Sequence, residues 1–583
     1  MTFALGIEQS LTGRSWRWRG GGSPSGEPDA LVADLLRARG CPEHDIERQR
    51  RPTIRDFMPD PSIFCDMDAA ANRIADAVMR QERMTIFGDY DVDGATSAAL
   101  LLRLLRSLGL EAGVYIPDRL MEGYGPSAEA LVRLGAAGSG LIVTVDCGAQ
   151  AFAALEAARD AGIDVIVVDH HQCATALPPA FALVNPNRLD ETIDAAAHGH
   201  LAAVGVAFLL GAAIVRRLRS LDWFAARAEP SMMDLLDVVA LGTVADVAQI
   251  RDLNRAFVAQ GLKVMARGGN IGLAALLRVS GLKRAPLAHD LGFALGPRIN
   301  AGGRVGAADL GVRLLTTTDM AEAESIAAQL DALNGERRAI EAAVQVEAES
   351  QLAAQDNAPV VLVAGQGWHP GVIGIVAGRI KEKAGRPAIV IALDDGGTGK
   401  GSGRSISGVD LGAAILAARD EGLLIAGGGH AMAAGLTVAA DRVDALGAYL
   451  NERMADAVAR ARGQSALLID AVVAPAGVTP GLVEALDGAG PYGNGWPAPR
   501  IATGPARVIK ADIVGTGHVR AILAGDDGRS IKSVAFRQAD QPLGQAILGC
   551  GRDRRLWVTG RAKIDDWSGR SSAELHVDDA AWV

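Results

Sequence analysis

Asp89, Asp91 and Asp93, in Gly88-Asp89-Tyr90-Asp91-Val92-Asp93-Gly94, crowd three carboxylates into five residues after the apolar run Met84-Thr85-Ile86-Phe87. Like charges this close repel, and a chain that keeps them at the end of a buried strand is built to hold a cation there. A second apolar run, Val165 to Val168, ends in Asp169-His170-His171. Oxygen-rich donor sets with one or two imidazoles suit Mn²⁺ or Mg²⁺ better than soft-ligand sites do. The chemistry such a site points to is metal-assisted hydrolysis.

Further pieces extend the set. Val143-Thr144-Val145-Asp146-Cys147-Gly148 reads as a strand ending in an acid, and Leu241-Gly242-Thr243-Val244-Ala245-Asp246-Val247 presents another. Gly296 to Arg304 reads as a turn carrying Arg298 and Arg304, and Ala426 to Gly435 as a Gly-rich turn around His430. Trp368-His369-Pro370-Gly371-Val372-Ile373-Gly374, followed by Arg379, and Gly401-Ser402-Gly403-Arg404-Ser405 have the composition of anion sites. Glycine lets backbone N–H groups approach a phosphate, serine adds a donor, and arginine forks onto the oxygens. Each piece alone also has an ordinary reading: a solvated turn, a structural histidine pair, surface arginines, a core tryptophan.

These residues need a scaffold. Residues 59–200 alternate β and α, with strands expected near 84–88, 113–116, 140–146, 164–169 and 181–184, and helices such as 95–108 and 150–161 between them. That alternation means a parallel sheet covered on both faces, with ligands at the carboxyl ends of its strands. Residues 202–316 read as mostly helical. From 319 to 354 the stripe Ile326, Leu330, Leu333, Arg337, Ile340, Val344 steps by four and three, a long helix reaching on the order of 50 Å. Residues 357–465 begin a second α/β unit, with strands near 359–363 and 387–393. Residues 466–583 show short strands with Gly/Asp turns, a small β-barrel. The expected division is an N-terminal arm over 1–58, a catalytic domain over 59–316, a connecting helix over 317–356, a substrate-binding domain over 357–465 and the barrel over 466–583.

Composition sets the outer limits. A chain of 583 residues with 49% hydrophobic content has material for three or four cores. No apolar run is long enough to span a membrane, and Met1 to Gly22 lacks a secretory signal layout. Five cysteines, at 41, 65, 147, 173 and 550, are scattered and form no CxxC. That pattern fits a reducing, cytoplasmic setting and argues against a disulfide framework or a zinc ribbon. The net charge of −10 argues only mildly against a nucleic-acid partner, because a local basic groove can sit on an acidic background.

The GDYDVDG and DHH motifs, with Asp146, Asp246, the Arg298/Arg304 segment and the Gly-rich His430 segment, resemble the DHH phosphoesterase superfamily. Their order, with Glu122-Gly123-Tyr124-Gly125 and Gly490-Pro491-Tyr492-Gly493-Asn494-Gly495, resembles its RecJ family of bacterial exonucleases, which degrade single-stranded DNA from the 5′ end. The specificity lies in the ordered set, which runs from about residue 50 to 500. The resemblance implies a DHH domain, a smaller DHH-associated domain and a C-terminal OB-fold, with two Mn²⁺ or Mg²⁺ ions as cofactors. By position it implies that Asp91 and Asp93 bind separate metals, that Asp146 bridges both, that His170 is a ligand and that Asp246 completes the second metal's own shell. His171 would contact the scissile phosphate and Asp169 would orient the histidines. Asp89 either fills a gap in the first metal's shell, where relatives carry a His at the position of Phe87, or simply hydrogen-bonds. Cys147 stands where an Asn is common, and Gly302 where an Ala is.

In-line attack by a metal-activated water would release a 5′-mononucleotide, and Arg298, Arg304, Arg404 and His430 are the positive neighbours for the phosphate. The family clamps the strand with its second domain, here through Arg379, Ser402 and Arg404. Arg119 and Tyr124 lie beside the strand ends, where Tyr124 can stack on the terminal base. In the barrel, Phe536 and Trp567 are aromatics available for stacking. The resemblance further implies DNA repair and recombination, with single-strand-binding protein and a RecQ-type helicase as partners. Three other readings compete. A DHH nuclease of short oligonucleotides or cyclic dinucleotides would lack the long helix and barrel, and a dead DNA-binding module would not need intact Asp91, Asp93, Asp146, His170 and Asp246. An inorganic pyrophosphatase would be shorter and would carry the His that Phe87 replaces.

Overall fold

The computed structural model describes residues 3–20, 28–118, 122–355, 357–463, 466–551, 554–565 and 571–583. Five strands of the first third pair, all parallel, in the order Gly113–Tyr115, Met84–Gly88, Leu141–Val145, Asp164–Val168, Ala182–Val184. The expected strands are all present. Every residue of Met84–Gly88 and Leu141–Val145 is buried, as a parallel sheet covered on both faces requires. Phe87, Ile142, Val165 and Val167 pack against Leu131 and Leu155 of helices Ala128–Ala136 and Phe152–Asp160. Their neighbours Ile86, Val143 and Ile166 point the opposite way, toward Val92–Ser107 and Ala203–Ser220.

Helices Leu236–Ala245, Asp252–Ala266, Ile271–Val279, Gly296–Val305 and Leu310–Thr316 follow. One expectation fails here. Gly296–Val305 is a helix, entered through a π-helical turn at Leu291–Leu295, and not an arginine turn. Its Gly, Pro and Asn content argued for a turn, but Ile299 and Ala301 bury into the fold, and packing overrides weak propensity. The long helix runs Met320–Leu352, with Ile326, Leu330 and Val344 buried along the predicted stripe.

The chain divides into two compact units: Met1–Gly303 with Ala307–Ala328 and Ala466–Val583, and Arg304–Gly306 with Gln329–Ser465. In the second, a sheet ordered Ala426–His430, Ala433–Ala439, Thr398–Arg404, Ala388–Leu393, Val361–Gln366 is antiparallel except for its last pair. The Gly-rich segment Ala426 to Gly435, expected as a turn, is therefore largely a pair of strands. In Thr398–Arg404 the glycines at 399, 401 and 403 are buried, because a Cβ on them would strike Ile391, Leu436 and Leu411 at 2.6 Å. Glycine there serves close packing between strand and core, not approach to a ligand.

The C-terminal strands close a five-stranded barrel. Ile501–Val514, His518–Ala524, Ser530–Ala535, Ser572–Trp582 and Leu556–Asp565 pair in that order, and the last returns to the first. The first residues of the chain are not a separate arm. Ser15–Trp18 pairs parallel with Ala466–Ile469, Trp16 is fully buried with its indole N–H on Asp579, and Leu31 and Leu35 join the barrel core.

Candidate metal centre

Three strand ends and three helix ends bring the acids together. Asp91 caps helix Val92–Ser107, its Oδ1 accepting from the N–H of Asp93 at 2.9 Å and of Gly94 at 3.1 Å. Gly94 is required by a close approach, since a Cβ there would sit 2.4 Å from the Asp89 carbonyl oxygen. Asp93 lies in the same first turn, and its carboxylate accepts from the N–H groups of Ala203 (2.6 Å) and Val204 (2.9 Å), the first residues of helix Ala203–Ser220. The positive ends of both helices thus face the cluster. Asp146 follows strand Leu141–Val145 in a left-handed backbone conformation (φ 60°) that aspartate tolerates better than most residues.

Asp246 ends helix Leu236–Ala245, and the cap behind it is unusual. The Val247 N–H bonds the Val244 carbonyl at 3.1 Å and the Ala248 N–H bonds that of Thr243 at 3.2 Å. This pairing puts the residue after the cap in the left-handed region, where glycine is usual. Here it is Val247, at φ 61°.

Asp169 anchors the histidines. Its Oδ1 accepts from the backbone N–H of His170 (2.7 Å) and His171 (3.1 Å) and from His171 Nδ1 (2.8 Å), while Oδ2 accepts from Ala149 N–H. His170 Nδ1 lies 3.0 Å from the Leu201 carbonyl oxygen. A carbonyl only accepts, so Nδ1 carries the proton and Nε2 keeps its lone pair. That lone pair sits 3.3 Å from Asp146 Oδ1 and 3.9 Å from Asp93 Oδ2. Neither His170 Nε2 nor Asp146 Oδ1 has a hydrogen-bond partner, and both are buried. Two buried lone-pair atoms facing each other fit a cation between them.

Three groups of ligand atoms each fall within 4.8 Å: Asp89, Asp91 and Asp146; Asp93, His170 and Asp246; Asp146, His170 and His171. Burial, then the charge of Asp91, pushes Asp93 up to about 7. Burial and the neighbouring carboxylates drive Asp146 and Asp246 well above the usual range. Burial, then the charge of His171, lowers His170 and so favours its neutral, ligating form. For His171 burial pulls downward, but the hydrogen bond and charge of Asp169 win and lift it to about 9. Asp169, against the same burial, is drawn down to about 2 by His171. The upward shift favours the imidazolium form of His171 beside the acids.

The other expected residues fall in several places. The Tyr124 hydroxyl donates to the Asp146 carbonyl at 3.2 Å and lies 3.3 Å from His171 Nδ1, so the exposed ring stands at the mouth of the cluster. Arg119 and Trp567 lie outside the described residues. Arg298 donates to the Ala294 carbonyl of its own helical turn. In the second unit Arg304 donates to the Gly371 carbonyl at 2.7 Å, at the start of helix Pro370–Ala384. Arg404 donates to Ser402 Oγ at 3.1 Å, and a Cβ on Gly374 would meet both side chains at 3.0 Å. His430 shares a cross-strand row with Ala433 and Arg404, about two strand spacings from that arginine. Arg379 is engaged elsewhere, with Glu341 and with Gln345 at 2.9 Å. Trp368 is core, its indole N–H on Glu347.

Comparison with known proteins decides the family. Residues 83–243 match the DHH family, N-terminal domain, residues 357–456 the DHHA1 domain, and residues 469–579 the RecJ OB domain. The chain is 40% identical over 572 residues to the single-stranded-DNA-specific exonuclease RecJ of Dickeya dadantii, covering 94% of this chain and 96% of the relative. The chain belongs to the RecJ family. RecJ from Thermus thermophilus in complex with Mn²⁺ superposes at a TM-score of 0.78 with 29% identity, over 97% of this chain and 79% of that one. The same protein with Mg²⁺ gives 0.72 at 27% identity, over 97% and 78%.

Against the RecJ pattern, Phe87 is buried in the apolar core against Tyr115 and Cys147 is buried in that same core. Several positioning groups escaped the sequence reading. Asn185 Nδ2 donates to the His171 carbonyl (2.8 Å) and Asn187 Nδ2 to that of His170 (2.6 Å). Asn254, fully buried, donates to the carbonyls of His200 and Gln249. The signal was present for the first two, as Asn185-Pro186-Asn187 directly after a strand. For Asn254, inside an ordinary amphipathic helix, there was none.

Proposed function

We propose that this chain is a divalent-metal-dependent exonuclease that hydrolyses single-stranded DNA from its 5′ end to 5′-mononucleotides. The observation that carries it is the His170–Asp146 pair, a buried imidazole lone pair 3.3 Å from a buried carboxylate oxygen, in a chain of this family. Asp91 with Asp89 would hold one ion, Asp93, His170 and Asp246 the other, and Asp146 would be shared. When bound, two Mn²⁺ or Mg²⁺ ions supply the charge that acidifies an attacking water and stabilises the leaving oxygen.

The chain's own residues do the rest. The Ala203 and Val204 amides fix Asp93, the Leu201 carbonyl fixes the His170 tautomer, and Asp169 keeps the proton on His171. That imidazolium offers a charged donor to a non-bridging phosphate oxygen, as charge builds up there in the transition state. Tyr124 is placed to meet the terminal nucleotide. Ser402 and Arg404, beside the first turns of Pro370–Ala384, offer donors for a backbone phosphate, with Arg298, Arg304 and His430 as further candidates. This activity suits DNA repair and recombination, where single-strand-binding protein and a RecQ-type helicase would present the strand.

A single strand labelled at either end tests the reading with Mn²⁺ present. Early release of mononucleotide from the 5′ label is expected. Early release from the 3′ label, or cleavage restricted to two- to five-residue oligonucleotides, overturns it.

A further inference from the structure

The Gly490–Gly495 segment marks the family resemblance, yet none of the chemistry above uses it. It is firmly built. Arg255, fully buried, donates to the carbonyls of Ala489 (2.7 Å), Gly490 (2.8 Å) and Pro491 (3.1 Å). Trp496 Nε1 donates to Ala489 as well, and Gly493 and Trp496 form a bridge. At its tip Asn494 grips the loop after Asp246 at two points. Its Nδ2 donates to the Val247 carbonyl at 2.7 Å, and its own carbonyl accepts from Ile250 N–H at 2.8 Å. Gly493 permits this approach, because a Cβ there would sit 2.7 Å from Ile250.

Val247 is where such a grip is needed. A β-branched residue at φ 61° is strained, since its side chain crowds the backbone in the left-handed region. Val247 is also 64% exposed, so packing of its side chain does little to hold it. What turns the chain there are the two capping amide bonds and the amide of Asn494. The residue before it is Asp246, whose ligand atom falls in a group with those of Asp93 and His170, all within 4.8 Å of one another.

We infer that Asn494 is a positioning residue for the metal centre: its side-chain amide holds Val247 in the left-handed conformation and so aims Asp246 at the ion it shares with Asp93 and His170. The inference rests on the metal reading of Asp246.

The test uses the full-length chain and two readouts that do not require turnover. In metal-free protein, Asn494→Ala should speed hydrogen exchange at the Val247 and Ala248 amides while global unfolding stays cooperative. By calorimetric titration with Mn²⁺ alone, it should weaken binding about tenfold, the low end for an outer partner of a metal ligand. Asn494→Asp, which keeps the size but loses the donor, should do the same. Val247→Gly removes the strain, so adding Asn494→Ala to it should cost less than about twofold in Mn²⁺ affinity. Native exchange and native Mn²⁺ affinity in both Asn494 variants, or a tenfold loss that persists in the Val247→Gly background, overturns the inference. Asp246→Ala separates the two levels: if it binds Mn²⁺ like the native chain, the metal assignment itself fails, whereas loss there with no effect at Asn494 rejects only the positioning role.

Discussion

The two sheets carry their polar chemistry in different places. In the parallel sheet the buried residues of the strand bodies are apolar but for Thr85 and Thr144, and the clustered acids begin where the strands stop, at Asp89, Asp146 and Asp169. In the mixed sheet the strand Thr398–Arg404 alternates buried glycines with Lys400, Ser402 and Arg404 along its length. A sheet covered on both faces has room for charge only beyond its edge, where helix ends and loops can meet it. A sheet with one partly open face can carry polar groups on every second residue. The first arrangement concentrates charge, and the second spreads donors along a track.

Removing the shared acid is the strongest way to break that contrast. Asp146→Ala should lower cleavage more than about a thousandfold, beyond the loss from a single electrostatic donor, while binding of a labelled single strand by fluorescence anisotropy stays within about twofold. Retained turnover would sink the assignment.

The concentration of charge also predicts a pH effect confined to the first sheet. Asp93 rises from the ordinary carboxylate range to about 7 on folding, through burial and then the charge of Asp91. Its contribution to stability is complete below about pH 4 and is lost as pH rises through 7, on the order of 4 kcal/mol at most. Denaturant unfolding of metal-free protein should show this decline, Asp93→Asn should flatten it, and saturating Mn²⁺ should offset it. A slope unchanged in the Asn variant would count against the charge-repulsion account.

For the second sheet the packing glycines are the place to press. Gly401→Ala should destabilise by about 1–3 kcal/mol, since its Cβ would meet Leu436 at 2.6 Å. An unshifted midpoint in urea would show that the strand has slack. The smallest expected effect is at the track itself. Arg404→Ala should raise KM for single-stranded DNA about tenfold with kcat little changed, the signature of lost uniform binding. A fall in kcat alone would move Arg404 to the reacting phosphate.

Much of this was legible in one dimension. Apolar runs and βα alternation placed all five parallel strands and put Asp89, Asp91, Asp146 and Asp169 at their carboxyl ends, while Asp93, His170 and Asp246 joined the set through the family resemblance. The failures share a cause. Gly296–Val305 and Ala426–His430 are rich in glycine, which by itself argues for turns, but glycines there meet residues distant in sequence, such as Tyr90 for Gly303 or Ile415 for Gly427. The N-terminal strand Ser15–Trp18 was misread because its partner, Ala466–Ile469, lies some 450 residues away.

What the sequence determined alone is the kind of chemistry: residue types and local spacing set which donors exist, and a strand end delivers them to a predictable edge. What only the tertiary structure decided is their state. The tautomer of His170 depends on the carbonyl of Leu201, the charge of His171 on Asp169, and the aim of Asp246 on how Val247 is held by Asn494. Most of these partners come from other elements, and a hydrogen bond across such a distance leaves no period, propensity or spacing in the chain to read.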